Sequence, residues 1–269
     1  MTISKIKPEL LDQIRPMVDK VCVFGEIDST NDEARRLLNS GFTGSSLIVA
    51  TTQNSGRGRR GRKWVSPVGG IYMSLTLPLP ESFKQPQALS LVSAISIKQS
   101  LEGWSLIPIK LKWPNDLLVG GKKLAGILLE FETSEPTDHI VFGIGINYSL
   151  TTAQKERIDR EATDIKDLTE KLPAREEIII SICMNLMKNV RRYSNQGFVP
   201  FKLIWNESDY YLGSNVAIKS GKSEKTGKSL GVNDKADLII ESDLGPELVS
   251  SGEIYFGLRG TERSPESDT

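Results

Sequence analysis

Histidine is almost absent from this sequence: His139 stands alone among 269 residues. A Ser-His-Asp triad or a histidine-rich metal centre therefore has one imidazole to draw on. His139 precedes an apolar strand, where a structural role is expected. Cysteine is nearly as scarce, and Cys22 and Cys183 lie far apart with no metal-ligand spacing. That excludes a disulfide framework and reads as two free buried thiols in a reducing compartment, so a cytoplasmic protein is expected. No apolar run approaches the roughly 18 residues of a membrane span, and the N-terminus has no signal-peptide core. A net charge of either sign is also missing, because 34 Lys and Arg face 34 Asp and Glu. This balance argues against a dedicated DNA or membrane-surface binder. Internal repeats are absent, and the length suits one large domain, or one large and one small.

What is present in concentrated form is cationic. In Gly56-Arg-Gly-Arg-Arg-Gly-Arg-Lys-Trp64, the residues Arg57, Arg59, Arg60, Arg62 and Lys63 alternate with Gly56, Gly58 and Gly61. Glycine permits φ > 0 and close backbone approach, and the Arg fork matches carboxylates and phosphates. The expectation is a flexible loop ordered by an anion. Gly56-x-Gly58-x-x-Gly61 has the letters of the dinucleotide fingerprint, but that motif must open a helix, and Pro67 and Gly69-Gly70 follow instead. A P-loop would need Lys-Ser/Thr after Gly61, where Arg62-Lys63 stands. An Arg-Gly nucleic-acid patch predicts a basic chain, which this is not. The plain alternative is a solvated surface loop.

Periodicity predicts an α+β chain with a mixed, mainly antiparallel sheet. An irregular or helical lead-in over 1–19 precedes strands at 21–24, 47–52, 71–77, 109–113, 117–119, 123–131 and 140–147. Helices are expected at 29–39, 86–101, 162–171, 175–192 and 201–207. Thr30 to Glu33 reads as a capping box, and Gly120-Gly121 as a hairpin turn. After Gly213, short alternating segments at 216–219, 229–231, 237–241 and 250–256 suggest a small β-barrel. The expected division is a main domain over 1–212, a barrel module over 213–259, and a disordered tail over 260–269.

Three further motifs carry chemistry. In Lys112-Trp-Pro-Asn-Asp116, Pro114 stops the strand and leaves Lys112 at its end, able to present a fixed cation. Asn115 and Asp116 are equally suited to forming a turn. Asp28-Ser-Thr-Asn31 begins a helix, where simple capping competes with binding of a polar head group. Gly143-Ile-Gly-Ile-Asn147 places glycines inside a strand, a sign that a ligand or another backbone approaches closely.

Together with Lys123-Leu-Ala-Gly-Ile-Leu128, and in this order, these motifs resemble the biotin protein ligases, densely over about 20–150. The resemblance implies a class II synthetase-like catalytic domain with an SH3-like C-terminal barrel. It implies that biotin and ATP form biotinyl-5′-adenylate, which is passed to a lysine of a biotin carrier domain of a carboxylase. Lys112, Arg57 and Arg59 would be catalytic. Ser29, Thr30, Asn31, Gln53 and Arg59 would hold the ureido end of biotin. Gly56, Gly58, Arg57 and Lys112 would hold its carboxylate and the adenylate phosphate. Arg60, Arg62, Trp64, Asn115 and Asn147 would meet the nucleotide, with Trp64 over adenine. Mg²⁺ is expected with ATP; its protein ligands are unknown, with Asp116 a candidate. A homodimer is compatible with the family. Some members carry an N-terminal DNA-binding domain, but Ser29 lies too early to leave room for one, so a ligase that is not a repressor is expected. Lipoate ligases share the fold but lack the Arg-Gly loop in this form.

Overall fold

The computed structural model of the chain describes residues 6–7, 12–79, 88–133, 137–158, 161–221 and 223–256. Seven strands form the main sheet: β1 (Lys20–Ile27), β2 (Ser46–Gln53), β3 (Gly70–Pro78), β4 (Lys110–Lys112), β5 (Asp116–Val119), β6 (Lys122–Glu132) and β7 (His139–Asn147). Their order is β1-β2-β3-β7-β6-β5-β4; β1 and β2 are parallel and every other pair is antiparallel. Between them in the chain lie α1 (Thr30–Asn39) and α2 (Ala88–Leu101), and after β7 come a single turn α3 (Thr152–Lys155), α4 (Arg175–Gln196) and α5 (Val199–Ser208).

Strand alternation divides the sheet into two unlike faces. Leu47, Val49, Met73, Leu75, Phe142 and Ile144 point to one side and pack with α2 and α4 in the principal core. α2 is buried nearly all round, as its apolar composition requires. On the opposite side, Ala34 and Leu38 of α1 cover a small patch of Ile48 and Val141, edged by the partly buried Cys22 and Phe24. Further along that face Gly143 and Gly145 form the floor of a cleft, with the buried Ser74 beneath Thr30 and Asn31.

The C-terminal strands β8 (Asn215–Ser220), β9 (Ser223–Val232), β10 (Leu238–Ser242), β11 (Gly245–Val249) and β12 (Glu253–Phe256) run in the order β11-β10-β9-β8-β12, all antiparallel. The expected barrel is thus a five-stranded sheet whose outer strands, β11 and β12, do not pair with each other. The expected segment 229–231 is the end of the longer β9, and 250–256 yields β12 alone, with β11 preceding it.

The predicted helix over 162–171 is also corrected. Only a 3₁₀ turn, Ile165–Leu168, forms there. Its backbone is committed elsewhere: Ala162 bridges Lys123, Thr163 N–H donates to the Lys123 carbonyl, and the buried Asp164 carboxylate accepts from Leu150 N–H and Asp167 N–H. The Gly120-Gly121 hairpin is present, with φ of 53° and 73°. The start of the helix expected at 86 and the tail 260–269 lie outside the described residues. His139 is fully buried, with Nε2 3.0 Å from the Thr43 carbonyl. Cys183 is buried, whereas Cys22 is only partly so. Burial pushes the Cys183 thiol up to about 12.

Candidate active site

The cationic segment is a hairpin rather than an unstructured loop. Gln53 N–H donates to the Ser66 carbonyl, Trp64 N–H to the Gly56 carbonyl, and Gly58 N–H to the Arg62 carbonyl, the last at 2.7 Å. Only the tip turns through left-handed backbone, at Arg60 (φ 58°) and Gly61 (φ 74°). Gly58 is extended instead, at φ −118°. Gly56 is required for space: a Cβ there would lie 2.5 Å from both the Trp64 carbonyl oxygen and Ser66 Oγ. It forms the neck of the hairpin, and it is the one predicted site residue that does not line the cleft.

The others line one cleft on the α1 face: Ser29, Thr30, Asn31, Gln53, Arg57, Gly58, Arg59, Arg60, Arg62, Trp64, Lys112, Asn115 and Asn147, with Asp116. Ser29, not Thr30, caps α1, accepting from Asp32 N–H. Thr30 and Asn31 are thereby turned toward the sheet. Thr30 N–H donates to Gln53 Oε1 at 2.8 Å, Ser74 Oγ donates to Thr30 Oγ1 at 2.8 Å, and Gln53 Nε2 donates to Ser66 Oγ at 2.9 Å. This polar chain is buried at its Ser74 end, where Asn31 Oδ1 accepts from the same hydroxyl.

The cations differ sharply in their surroundings. Arg57 is forked onto Glu130 at 2.9 and 2.8 Å and paired with Asp32 at 2.8 Å. Arg35 also pairs with Glu130 and Glu132. Arg57, expected on a ligand carboxylate, is thus committed to carboxylates of α1 and β6. Arg62 pairs with Glu253 of β12, and Arg60 donates to the Lys219 carbonyl of β8 at 3.3 Å. Arg59 is different: it donates to the neutral amide oxygen of Asn115 at 3.1 Å. Burial, and then Arg60, loosen its hold on its proton, with Asp116 and Glu253 opposing at longer range. A desolvated cation bonded to a neutral amide is a ready anion site.

Glycine explains how Trp64 is seated. Gly126 and Gly145 are direct cross-strand partners on β6 and β7. A Cβ at Gly145 would lie 2.5 Å from the Trp64 ring, and one at Gly126 2.9 Å from it. Lys123 Nζ stands 5.1 Å from the ring centroid and pairs with Asp116 at 2.8 Å. A Cβ at Gly143 would meet Asn31 Oδ1 at 2.3 Å. The close approach inferred from these glycines is therefore made by the side chains of Asn31 and Trp64. Asn115 Nδ2 donates to the Ile127 carbonyl, and Asn147 Nδ2 to those of Lys123 and Thr163. Both amides brace backbone, leaving the Asn115 oxygen to hold Arg59.

Sequence reasoning missed Ser74, Asp32 and Glu130. The alternation of β3, with Met73 and Leu75 on the core side, was the available signal for Ser74. Glu130 had a weaker signal, as a carboxylate interrupting the apolar run Leu124–Phe131.

Residues 23–147 match the model of the biotin/lipoate A/B protein ligase family. The biotin–[acetyl-CoA-carboxylase] ligase of Paracoccus denitrificans is 31% identical over 242 residues, covering 87% of this chain and 100% of that one. The bifunctional ligase/repressor BirA of Bacillus spizizenii is 32% identical over 234 residues, covering 86% and 72%. Among solved structures, the biotin protein ligase from Aquifex aeolicus in complex with biotin and ATP gives a TM-score of 0.76 at 32% identity, covering 88% of this chain and 97% of that one. On its sequence and its fold together, the chain belongs to the biotin protein ligases of the biotin/lipoate A/B protein ligase family.

Proposed function

We propose that the chain joins biotin to a lysine of a biotin carrier domain in two steps. A biotin carboxylate oxygen attacks the α-phosphorus of ATP, forming biotinyl-5′-adenylate and releasing pyrophosphate. The carrier amine then attacks the acyl carbon, forming an amide and releasing AMP. Arg59 is the observation that carries this reading: it is a desolvated guanidinium in the cleft, bonded to a neutral amide and suited to an anion. Lys112, at the end of β4, adds a second cation to the same cleft. Such groups stabilise charge that develops on the phosphoryl oxygens and on the departing AMP.

In this scheme Thr30, Asn31 and Gln53 supply donors and acceptors for the ureido ring, held in place by hydrogen bonds to one another and to the buried Ser74. Arg57 turns from Glu130 and Asp32 to the ligand carboxylate, and the Trp64 ring covers adenine. The hairpin excludes water from the mixed anhydride, which water would otherwise hydrolyse. No protein nucleophile is required.

Mg²⁺ fits as a companion of ATP. Among the described residues no group of three or more His, Cys, Asp or Glu could hold a metal, and Asp116 is paired with Lys123. Magnesium is commonly bound by one or two carboxylates together with substrate phosphates; here Asp116 would be the protein's contribution, and the ion would neutralise phosphate charge. The charge balance supports a ligase that does not act on DNA, and no described helix is long and apolar enough to cross a membrane. A cytoplasmic location is part of the same proposal. The test is exchange of labelled pyrophosphate into ATP. Exchange with biotin and not lipoate is expected; exchange with lipoate alone, or with neither in folded protein supplied with Mg²⁺, would overturn the proposal.

A further inference from the structure

Strand β4 is held by the C-terminal region along its whole length. Lys110 Nζ donates to the Glu207 carbonyl at 3.4 Å, Tyr210 N–H to the Leu111 carbonyl at 2.8 Å, and Trp113 Nε1 to the Ala236 carbonyl at 3.4 Å. Leu111 also bridges Asp209 in parallel, so residues after α5 extend the edge of the main sheet. The strand that ends in Lys112 is thus framed by main-chain and side-chain contacts from the end of α5, the segment that follows it and the β9–β10 turn.

Lys112 itself meets an aromatic face. Its Nζ lies 5.5 Å from the centroid of Tyr211, a buried ring. Tyr211 is wedged edge-on between Tyr210, at 5.1 Å and 81°, and Phe256 of β12, at 4.8 Å and 67°. Its main chain is fixed by donation of Tyr211 N–H to Asp209 Oδ1 at 2.9 Å. A lysine stem has four rotatable carbons, and an ammonium is attracted to the face of an aromatic ring. A ring that cannot turn therefore selects one position for the charge.

We propose that Tyr211 is a positioning residue for Lys112, its ring face setting where the ammonium stands in the cleft, with Phe256 of the C-terminal sheet locking the ring. This rests on the role given to Lys112 above and assigns the C-terminal sheet a part in catalysis. Tyr211 does not line the cleft and acts through Lys112.

The test compares Tyr211→Phe, which keeps the ring face, with Tyr211→Leu, which keeps the site apolar but removes the face. Three readouts apply to the full chain: biotin-dependent pyrophosphate exchange, biotin affinity by calorimetry, and the Lys112 ε-methylene proton shifts, assigned with Lys112→Arg. Tyr211→Phe should remain within about threefold of the parent, with the ring-current upfield shift of Lys112 retained. Tyr211→Leu should lose about tenfold in exchange kcat, with biotin affinity within about twofold and the upfield shift gone. A parent without the upfield shift would overturn the proposal, as would a Tyr211→Leu protein that loses the shift but exchanges normally. So would equal losses in both variants, which would make Tyr211 merely structural. Normal exchange by Lys112→Ala would instead remove Lys112 from the chemistry, while the ring-current shift of the parent still reported the contact.

Discussion

Replacing Asp209 by Asn should stabilise the folded chain at neutral pH and weaken it in acid. Asp209 is 6% exposed at the seam between α5 and the C-terminal sheet. Burial pushes its carboxyl from 3.8 up to about 6, against smaller pulls from Tyr211 N–H, the Trp205 indole and Lys110. A carboxyl whose pKa is raised by folding binds its proton more tightly in the folded state. That stabilisation is complete below about pH 4 and is lost as pH rises through about 6. Two units correspond to about 3 kcal/mol of unfavourable ionisation above pH 7. Asn escapes it and keeps an oxygen for Tyr211 N–H, but it puts an NH₂ where the buried Oδ2 has no hydrogen-bond partner, a cost of about 1 kcal/mol. The variant should therefore be about 2 kcal/mol more stable at pH 7.5, or roughly 4–8 °C in Tm. It should be about 1 kcal/mol less stable near pH 3, with the two curves crossing near pH 4.5. Urea unfolding of both proteins at four pH values measures this difference. A difference independent of pH, or an Asn variant weaker throughout, would refute the reasoning.

Four more perturbations probe the cleft. Lys112→Ala should lower pyrophosphate exchange by at least about 100-fold while leaving the circular dichroism and melting curve intact; near-normal exchange removes it from the mechanism. Arg59→Gly should release biotinyl-adenylate to solution, read as biotin appearing on lysines of added bystander protein, and unchanged selectivity would count against a closing hairpin. Limited proteolysis should cut the tip at Arg59–Arg62 in free protein and much less with biotin and ATP, whereas equal rates would contradict ligand-driven closure. Gly145→Ala would place a Cβ 2.5 Å from Trp64, so it should lose about 1–3 kcal/mol of stability. That penalty should shrink when Trp64 is also Ala, and an undiminished one would locate the strain elsewhere.

The main sheet was legible because its strands keep clean alternation or end at recognisable breakers. Gly120-Gly121 and Pro114 fix the two ends of β5, and Leu47–Val49 and Ile71–Leu75 show their buried sides directly. The segment 162–171 was misread because its helical pattern is local, whereas the bonds that override it run to Lys123 and Leu150, far away in sequence. The helix cap was displaced by one residue for a similar reason: Ser29 and Thr30 are both competent caps, and only the position of Gln53 and Ser74 decides that Thr30 is used elsewhere. For the site, the Arg-Gly segment named itself by composition. Composition could not tell Arg57, neutralised by Glu130 and Asp32, from Arg59, facing an amide, because those partners come from other strands and helices. Nor could spacing reveal that Gly143 and Gly145 serve Asn31 and Trp64. A glycine announces that something comes close without saying what.

The lacing of the cationic hairpin bears on how tightly a ligand can be held. Fixing one residue's backbone costs about 1–2 kcal/mol of conformational entropy, and a free segment from Gln53 to Ser66 would charge that against every binding event. Here the bridges Gln53–Ser66 and Arg57–Lys63 close the neck, so the freedom left to surrender is confined to residues 58–62. Under the proposed function so little of the segment would have to be immobilised that the attraction of Arg59 for an anion would be left over as affinity.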